Sequence, residues 1–373
     1  MNPSVYRCSL GLALGGLFWA LMAHAVDGGD HHNMSSQPSS EFVLFVSAEA
    51  HHFTEAASNG ELNEDAPLIG DAVFAVNHDR FRLFGEFQLS KEEHDLERFE
   101  LGYEVIPNTV IWIGRFHQPA SAWNTEHHHG RYLQTAITRP SIELWEDEDG
   151  VIPQHITGIY VDSRRPIGDG GGLHLAAGAG LGVTIQKEGL EELNLLDPQT
   201  SGRRLSLSGR VAYLPSYVGT SEIGLLMAHN NMTVLDPATS KLLRAANVEQ
   251  NLYGAFANWN NESWKIQSAI YGLQMNLTEV GSARSETVIA GYVQVERQLP
   301  KNFTAYAREE NSDRADRSLF VTINHPDFEL RRATLGVRWD FWHDQALTAE
   351  VAKGQRVGSS NSEYRLQWSA AVQ

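Results

Sequence analysis

The residues best able to support unusual chemistry are concentrated in one stretch, Arg115–Ile156, which carries histidines, arginines and an acidic block. Its most unusual feature is a triplet of consecutive histidines: His127, His128 and His129. Imidazole and carboxylate groups are ligands of zinc, copper and nickel in proteins. Three consecutive residues cannot all point at one ion without an unusual backbone, and no H-E-x-x-H spacing is present. A divalent-metal site at the triplet therefore stays an alternative to hydrogen bonding within a packed loop.

The same stretch carries opposed charges that suit a selectivity filter. Rings or patches of charged side chains set the selectivity of pores. If the stretch bordered an aqueous opening, a basic side would face an acidic side, and the field between them would favour small polar or zwitterionic solutes. The candidate constriction residues are Arg115, His117, Arg131, Arg139, Glu143, Glu146, Asp147, Glu148 and Asp149.

The sequence gives little support for an enzyme. A hydrolase would need a nucleophile beside a histidine, and no G-x-S-x-G nucleophile elbow is present. The glycine-rich run Gly168–Gly172 is not followed by a helical pattern, so it predicts a turn and not a phosphate cradle. We therefore expect no catalytic residues, and an enzyme or a structural barrel with a plugged lumen stays an alternative.

The amino terminus predicts export. Arg7 precedes an apolar run, Leu10–Met22, and Ala23–Ala25 has the A-x-A form of a cleavage site. The run is shorter than the roughly 20 residues that a membrane-spanning helix needs. We predict a signal peptide at 1–25 and a flexible leader at 26–40. Cys8 is the only cysteine and would be lost with the signal, so no disulfide or thiolate metal site is expected in the mature chain.

Charge excludes one class of partner. The 373 residues include 29 Lys and Arg against 46 Asp and Glu, a formal net charge of −17. Nucleic-acid binding needs a basic footprint, so we expect no nucleic-acid partner.

From Glu41 onward the dominant pattern is an alternation of apolar and polar residues with a period of two. Near the end of the chain, for example, Leu335, Val337 and Trp339 alternate with polar residues. Such segments are strands with one apolar and one polar face. About sixteen of them are present, and their predicted centres are Leu44, Phe74, Leu83, Leu101, Trp112, Tyr160, Leu175, Leu207, Leu225, Phe256, Ile266, Val293, Tyr306, Val337, Ala349 and Leu366.

The connections between these segments alternate between short and long. Predicted short turns, such as Asn77–Asp79 and His343–Gln345, alternate with longer polar links: Lys187–Gly202, Asp236–Asn247, Thr278–Ser285 and Asn311–Leu330. Short periplasmic turns and long external loops are typical of outer-membrane barrels, and closure leaves no unpaired strand edge in lipid. We therefore predict an all-β protein in which residues 41–373 form a closed antiparallel transmembrane β-barrel of about 16 strands, with 118–154 as a long third extracellular loop.

The polar register of the predicted strands contains several arginines. In a barrel of this size the polar face lines an aqueous lumen. The arginines expected to face it are Arg80, Arg82, Arg204, Arg210 and Arg338.

The motif G-R-F-H-Q-P-x-x-x-W-N at Gly114–Asn124 is followed by H-H-G at His128–Gly130 and E-D-E-D-G-V-I-P at Glu146–Pro153. This segment resembles a recurring segment of porin-like outer-membrane proteins, and the mature chain as a whole resembles the general and phosphate-selective porins. The resemblance implies sixteen strands and a third loop, 118–154, that folds inward and narrows the pore.

The resemblance also implies a function and its setting. We expect passive diffusion of small polar solutes or ions across the bacterial outer membrane, in contact with outer-membrane lipid and lipopolysaccharide, and with a homotrimer as the expected assembly. No cofactor is expected beyond the divalent metal already considered, and metal-ion uptake through the histidine-rich loop stays the alternative function.

Overall fold

The computed structural model describes residues 38–54, 68–90, 94–127, 130–146, 150–186, 189–235, 245–279, 282–325 and 328–373. The predicted signal peptide, 1–25, lies outside the described residues, as does most of the predicted leader. The first strand begins at Ser39, so the last two residues assigned to the leader belong to the sheet.

Strands, numbered here in chain order, make up most of the described chain. They are β1 Ser39–Phe53, β2 Leu68–His78, β3 Phe81–Leu89, β4 His94–Ile106, β5 Thr109–His117, β6 His155–Ile167, β7 Gly171–Leu181, β8 Thr184–Gln186, β9 Gly189–Glu191, β10 Leu205–Leu214, β11 Glu222–Thr233, β12 Ala245–Asn260, β13 Trp264–Glu279, β14 Ser282–Leu299, β15 Phe303–Asp313, β16 Arg331–Trp342, β17 Gln345–Arg356 and β18 Ser359–Val372. Two short α-helices lie in connections, α1 Asn124–His127 and α2 Leu319–Asn324. No helix in the described ranges has the length and apolar character needed to cross a membrane.

Sixteen of the strands form a closed antiparallel barrel in which neighbours in sequence are neighbours in space. The barrel closes where β1 pairs with β18, in a register that places Leu44 opposite Val372 and Phe53 opposite Glu363. The remaining two strands, β8 and β9, form a separate hairpin between β7 and β10. The predicted closed antiparallel barrel of sixteen strands is confirmed, and each of the sixteen predicted centres lies within a barrel strand.

The alternation in sequence separates an outward apolar face from an inward polar face. On β16 the outward side chains of Leu335, Val337 and Trp339 are 60%, 42% and 42% exposed, whereas the inward Thr334 and Arg338 are 1% and 8% exposed. Successive side chains of a strand point to opposite faces, so the pattern follows directly from the period of two.

Two of the predicted long connections have a different structure. The link predicted at Thr278–Ser285 is mostly strand, because β13 extends to Glu279 and β14 begins at Ser282, with those two residues paired. The link predicted at Asn311–Leu330 contains α2, whose amino terminus is capped by the Ser318 side chain accepting from the Val321 N–H. In both links the apolar residues do not repeat at a regular spacing. The sequence pattern therefore indicates neither the extended strand ends nor the short helix.

Three connecting segments pack together inside the barrel and share one hydrophobic cluster with the wall. They are 118–154, the β8–β9 hairpin with its flanks, and 314–330. The buried side chains of the cluster include Trp123, Ile142 and Ile152 from the first segment, Ile185 and Leu190 from the second, Phe320, Val321 and Phe328 from the third, and Met232, Leu252, Leu273 and Met275 from the wall. This cluster therefore fills the interior next to strands β10 to β15 with apolar side chains.

Three glycines face one another across β5, β6 and β7, just below the point where 118–154 leaves the wall. Gly114 pairs with Gly158, and Gly158 pairs with Gly180. A Cβ added at Gly158 would meet the Ala179 carbonyl oxygen, and one at Gly180 would meet that of Thr157. Only glycine allows the backbones this approach, so the row fixes the close spacing of the strands that position the segment.

We expect Gly180→Ala to destabilise the barrel by about 1–3 kcal/mol, because the added methyl group meets backbone that cannot rotate away. The measurement is equilibrium urea unfolding in micelles, followed by tryptophan fluorescence. Gly209→Ala is the matched control, since the nearest atom to its added Cβ is Met227 Cγ at 3.6 Å. Equal stability of the two variants would contradict the close approach.

Candidate functional site

The segment 118–154 crosses the interior of the barrel and is bonded to inward-facing side chains on many strands. It leaves β5 at Gln118, whose N–H donates to the Gln154 carbonyl oxygen at 2.6 Å where the segment returns to β6. Its partners lie on β1, β10, β12, β13, β14, β15, β16 and β17. Because most of these strands lie across the barrel from β5 and β6, the segment spans the lumen.

Glu143 is the central anchor of the segment and is fully buried. Its carboxylate accepts from the Ala122 N–H at 3.1 Å and the Trp123 N–H at 3.2 Å. The hydroxyl groups of Ser121 and of Tyr271 on β13 also donate to it. Burial raises the pKa of Glu143, and the hydrogen bonds from Ser121 and Tyr271 oppose that shift. One carboxylate thus folds the segment on itself and ties it to the wall.

Glu350 on β17 forms a second anchor. Its carboxylate accepts from the Ile137 N–H at 2.9 Å and from the Thr138 hydroxyl at 2.5 Å. The Tyr306 hydroxyl of β15 donates to the same carboxylate at 2.8 Å. Backbone donors buried away from water require such acceptors, so Glu350 satisfies a stretch of the segment that has no secondary structure.

Two arginines of the wall satisfy the carbonyl oxygens of the same stretch. Arg308 donates to the Thr138 oxygen at 2.7 Å and to the Arg139 oxygen at 3.1 Å, while its Nε lies 2.8 Å from Glu310. Arg338 donates at 2.6 Å to both the Tyr132 and the Gln134 carbonyl oxygens. The wall therefore supplies acceptors for the N–H groups of the segment and donors for its carbonyl groups.

Helix α1 is held against β13 by a charged pair and a neutral histidine. Glu126 lies 3.0 Å from Lys265 Nζ. His127 Nε2 lies 3.3 Å from the same ammonium group, and Nδ1 lies 3.2 Å from the Trp123 carbonyl oxygen. An ammonium group only donates, so Nε2 accepts and Nδ1–H donates. Burial, together with Lys265, lowers the pKa of His127 to about 3.

The contacts of His127 bear on whether the histidine triplet binds a metal ion. Both ring nitrogens of His127 take part in packing contacts, and its ring stacks on Trp123 at 4.4 Å between centroids. His128 and His129 lie outside the described residues. Within the part of the chain that the structure describes, no group of three or more His, Cys, Asp or Glu side chains could hold a metal ion.

Arg115 is enclosed by carboxylates and does not border an open space. Its guanidinium nitrogens lie 3.1 Å from Asp95, 3.5 Å from Glu97 and 3.2 Å from Glu192, and the side chain is fully buried. This differs from the expectation of a pore-lining charge. The reason is that Glu192, from the link after β9, reaches Arg115 although the two residues are far apart in sequence, and such a contact leaves no periodic signal.

His117 and Glu146 lie where the segment joins β5 and β6. The Glu146 carboxylate accepts from the N–H groups of Gln154 at 2.6 Å and His155 at 3.0 Å, and lies 3.2 Å from His155 Nδ1. The His117 ring lies 4.8 Å from the Trp145 ring and 5.0 Å from the His155 ring. Both predicted residues belong to a packed cluster that fixes the two ends of the segment.

The two arginines of the segment also have partners in the interior. Arg131 forms an ion pair with Glu49 of β1 at 2.8 Å. The Arg139 guanidinium lies 4.4 Å above the Trp145 ring, and its Nη1 is 3.4 Å from the Asn124 side-chain oxygen. The acidic residues expected to face them, Asp147, Glu148 and Asp149, lie outside the described residues.

Of the five arginines expected to line the lumen, three lie on the inward face within ion pairs or contacts to the segment. Arg82 pairs with Glu104 at 2.9 Å, Arg210 pairs closely with Glu222 and donates to Thr125 at 2.7 Å, and Arg338 holds the segment as described above. Arg80 lies in the exposed turn before β3, and Arg204 is exposed just before β10.

The residues that hold the segment most firmly were not among the predicted site residues. They are wall residues whose side chains point into the barrel: Glu49, Tyr271, Arg308, Glu310 and Glu350. The alternation in sequence places all five on the inward face of their strands. The sequence does not indicate which loop atom each of them meets.

Comparison with solved structures identifies bacterial outer-membrane proteins of the same architecture. An anion-selective porin from Comamonas acidovorans aligns over 90% of this chain and 100% of its own, with a TM-score of 0.59 and 11% identity. OmpT, an outer membrane protein of Vibrio cholerae, aligns over 92% and 100%, with a TM-score of 0.57 and 11% identity. Salmonella typhi OmpF, in a complex with daunomycin, aligns over 89% and 97%, with a TM-score of 0.54 and 12% identity.

At these identities the likeness shows a shared fold. No protein-family model matches the sequence, and comparison with curated proteins gives no match.

We expect Glu143→Gln to loosen the segment, because the amide keeps the shape but replaces two acceptor oxygens with one and loses the charge. Charge-assisted hydrogen bonds contribute about 1.5–3 kcal/mol each, so a loss of stability of at least about 2 kcal/mol should be measured by urea unfolding. Limited proteolysis should also cut within 118–154. Glu262→Gln, in an exposed turn, is the control, and equal behaviour of the two variants would contradict the anchoring role.

Proposed function

We propose that the protein is an outer-membrane porin that allows passive diffusion of small polar solutes or ions, and that the segment 118–154 is its constriction. The observation that carries the proposal is the path of the segment, which crosses the lumen from β5 to Glu350 of β17 and is hydrogen-bonded on the way. A segment fixed in this position sets the width of any aqueous path past it.

The outward surface supports a membrane location. Its exposed apolar side chains form a belt around the wall that includes Ile113, Ile159, Leu225, Ile270, Val293, Leu335 and Leu366. A belt of this kind on a closed sheet suits lipid, because pairing between neighbouring strands leaves no open sheet edge. We propose the bacterial outer membrane as the location, reached through the predicted cleaved signal peptide.

The inner surface supports a narrow and polar path. The hydrophobic cluster occupies the interior next to strands β10 to β15, so water and solutes are confined to the remaining cross-section of the lumen. Inward charges with accessible side chains include both signs: Arg131 and Arg365 are 25% and 20% exposed, and Asp162 and Asp340 are 30% and 36% exposed. A path lined by both signs favours small zwitterionic or neutral polar solutes over apolar ones.

The proposal includes the expected surroundings. Lipid and lipopolysaccharide would cover the apolar belt, and a homotrimer is the proposed assembly. No catalytic role is proposed, and no observation on the described residues favours metal uptake over diffusion of polar solutes.

Planar-bilayer recording with the purified mature protein tests the channel. We expect steady open-channel steps that are smaller than those of a barrel with an unobstructed lumen, because the segment and the hydrophobic cluster narrow the path. Absence of any steps, with the protein shown to be inserted, would contradict the proposal.

Deleting residues 120–149 tests the role of the segment. Conductance should rise and ion selectivity should weaken, since the charges of the constriction are removed with its bulk. If the deletion variant does not assemble, the double variant Thr138→Val with Glu350→Gln keeps the bulk but cuts one anchor, and its steps should become noisy. Conductance unchanged from wild type in both variants would place the segment outside the path.

A further inference from the structure

Two cations without partners lie on the outward face of the barrel. Arg331 begins β16 and Lys353 lies near the end of β17, and both side chains are exposed. Across the described ranges, neither side chain forms a hydrogen bond or an ion pair. On the inward face, by contrast, arginines such as Arg308 and Arg332 are paired with carboxylates. Arg331 and Lys353 thus differ from these inward arginines in having no carboxylate partner among the described residues.

The strand register places the two cations side by side. Arg331 lies opposite Gln355, and Lys353 lies opposite Ala333, so the two are diagonal neighbours on one face. Such neighbours are about 7–8 Å apart between Cα atoms, within reach of long side chains. Two like charges this close repel each other, and an anion bound between them would replace that repulsion by attraction.

The pair lies at the upper edge of the apolar belt. Lys353 is the next outward residue after Val351, which is 40% exposed, and Arg331 lies beyond Leu335, which is 60% exposed. At about 3.3 Å per residue, Lys353 stands roughly 7 Å above the last apolar side chain of its strand. This end of the strands is opposite to the short turn at 343–344, which makes it the external end in the proposed orientation.

The surface around the pair is an open depression lined by small and polar residues. Gln355, Gly358, Ser359 and Ser360 border it together with Arg331 and Lys353. Hydroxyl and amide groups supply neutral hydrogen-bond donors beside the two cations. One carboxylate, Glu309, borders the depression on the β15 side, opposite Ala333, so the basic character is strongest toward β17.

We propose that this depression, defined by Arg331, Lys353, Ser359 and Ser360, binds the phosphate of a lipid headgroup in the outer leaflet. The inference rests on the proposed outer-membrane location. The guanidinium group of Arg331 can bind two phosphate oxygens at once, and Lys353 contributes a point charge. The acyl chains of the same lipid would lie along the apolar belt below, on Leu335 and Val351.

The test uses the full-length mature protein in micelles and two probes, bisphosphorylated lipid A and the same lipid A with its phosphates removed. Native mass spectrometry measures how much of each is bound. Wild type should bind the phosphorylated probe at least about tenfold more tightly, the effect of roughly one charge-assisted hydrogen bond. The double variant Arg331→Gln with Lys353→Gln should lose this preference.

Two further variants sharpen the result. Lys301→Gln, an exposed cation in the turn at the other end of the barrel, should bind as wild type does. Glu309→Gln should bind the phosphorylated probe at least as tightly as wild type, because it removes the carboxylate that borders the depression. An undiminished preference in the double variant would overturn the proposal, and so would full displacement of the lipid by an equal concentration of inorganic phosphate.

The lipid-binding test and the channel test can fail independently. The double variant should give the same bilayer conductance as wild type, since both residues face away from the lumen. A protein that binds the phosphorylated probe but conducts nothing would contradict the channel and leave the lipid site standing.

Discussion

Closure of the sheet between β1 and β18 is the constraint on which the rest of the structure depends. Once those strands pair, no sheet edge remains, and each barrel strand is hydrogen-bonded to a neighbour on both sides. The outward side chains are then free to be apolar. The inward side chains are enclosed, so the only partners open to them are one another, water and whatever segment enters the lumen.

The backbone of the segment 118–154 also needs hydrogen-bond partners. It has little secondary structure, and a buried backbone without partners costs free energy for each orphaned group. The wall supplies those partners from inward side chains: Tyr271 bonds to Glu143 of the segment, and Glu350 and Arg308 bond to the middle of the segment. Charges that the sequence suggested as an electrostatic filter therefore form hydrogen bonds and ion pairs that hold the segment in place.

The architecture was predictable because a period of two needs only local residues, and all sixteen strand centres were found from it. The segment 118–154 stood out in the sequence as an interval without that period. The partners of the loop were not predictable, because the contact of Thr138 with Glu350 joins residues far apart in sequence. Arg115 shows the same limit, since Glu192 reaches it from another connection. The hairpin β8–β9 and helix α2 were missed because each is too short to produce a repeat.

The central claim, that 118–154 lies inside the barrel against β17, is most directly tested by crosslinking Thr138→Cys with Glu350→Cys in native membranes. The sequence has a single cysteine, Cys8, in the predicted signal peptide, so the introduced pair would be the only thiols of the mature chain. A short bifunctional thiol reagent should join them within one chain, as read by mass spectrometry of the digest. Leu196→Cys, in an exposed position, should not join Glu350→Cys. Failure of the 138–350 link, with both thiols shown to be reactive, would contradict the account.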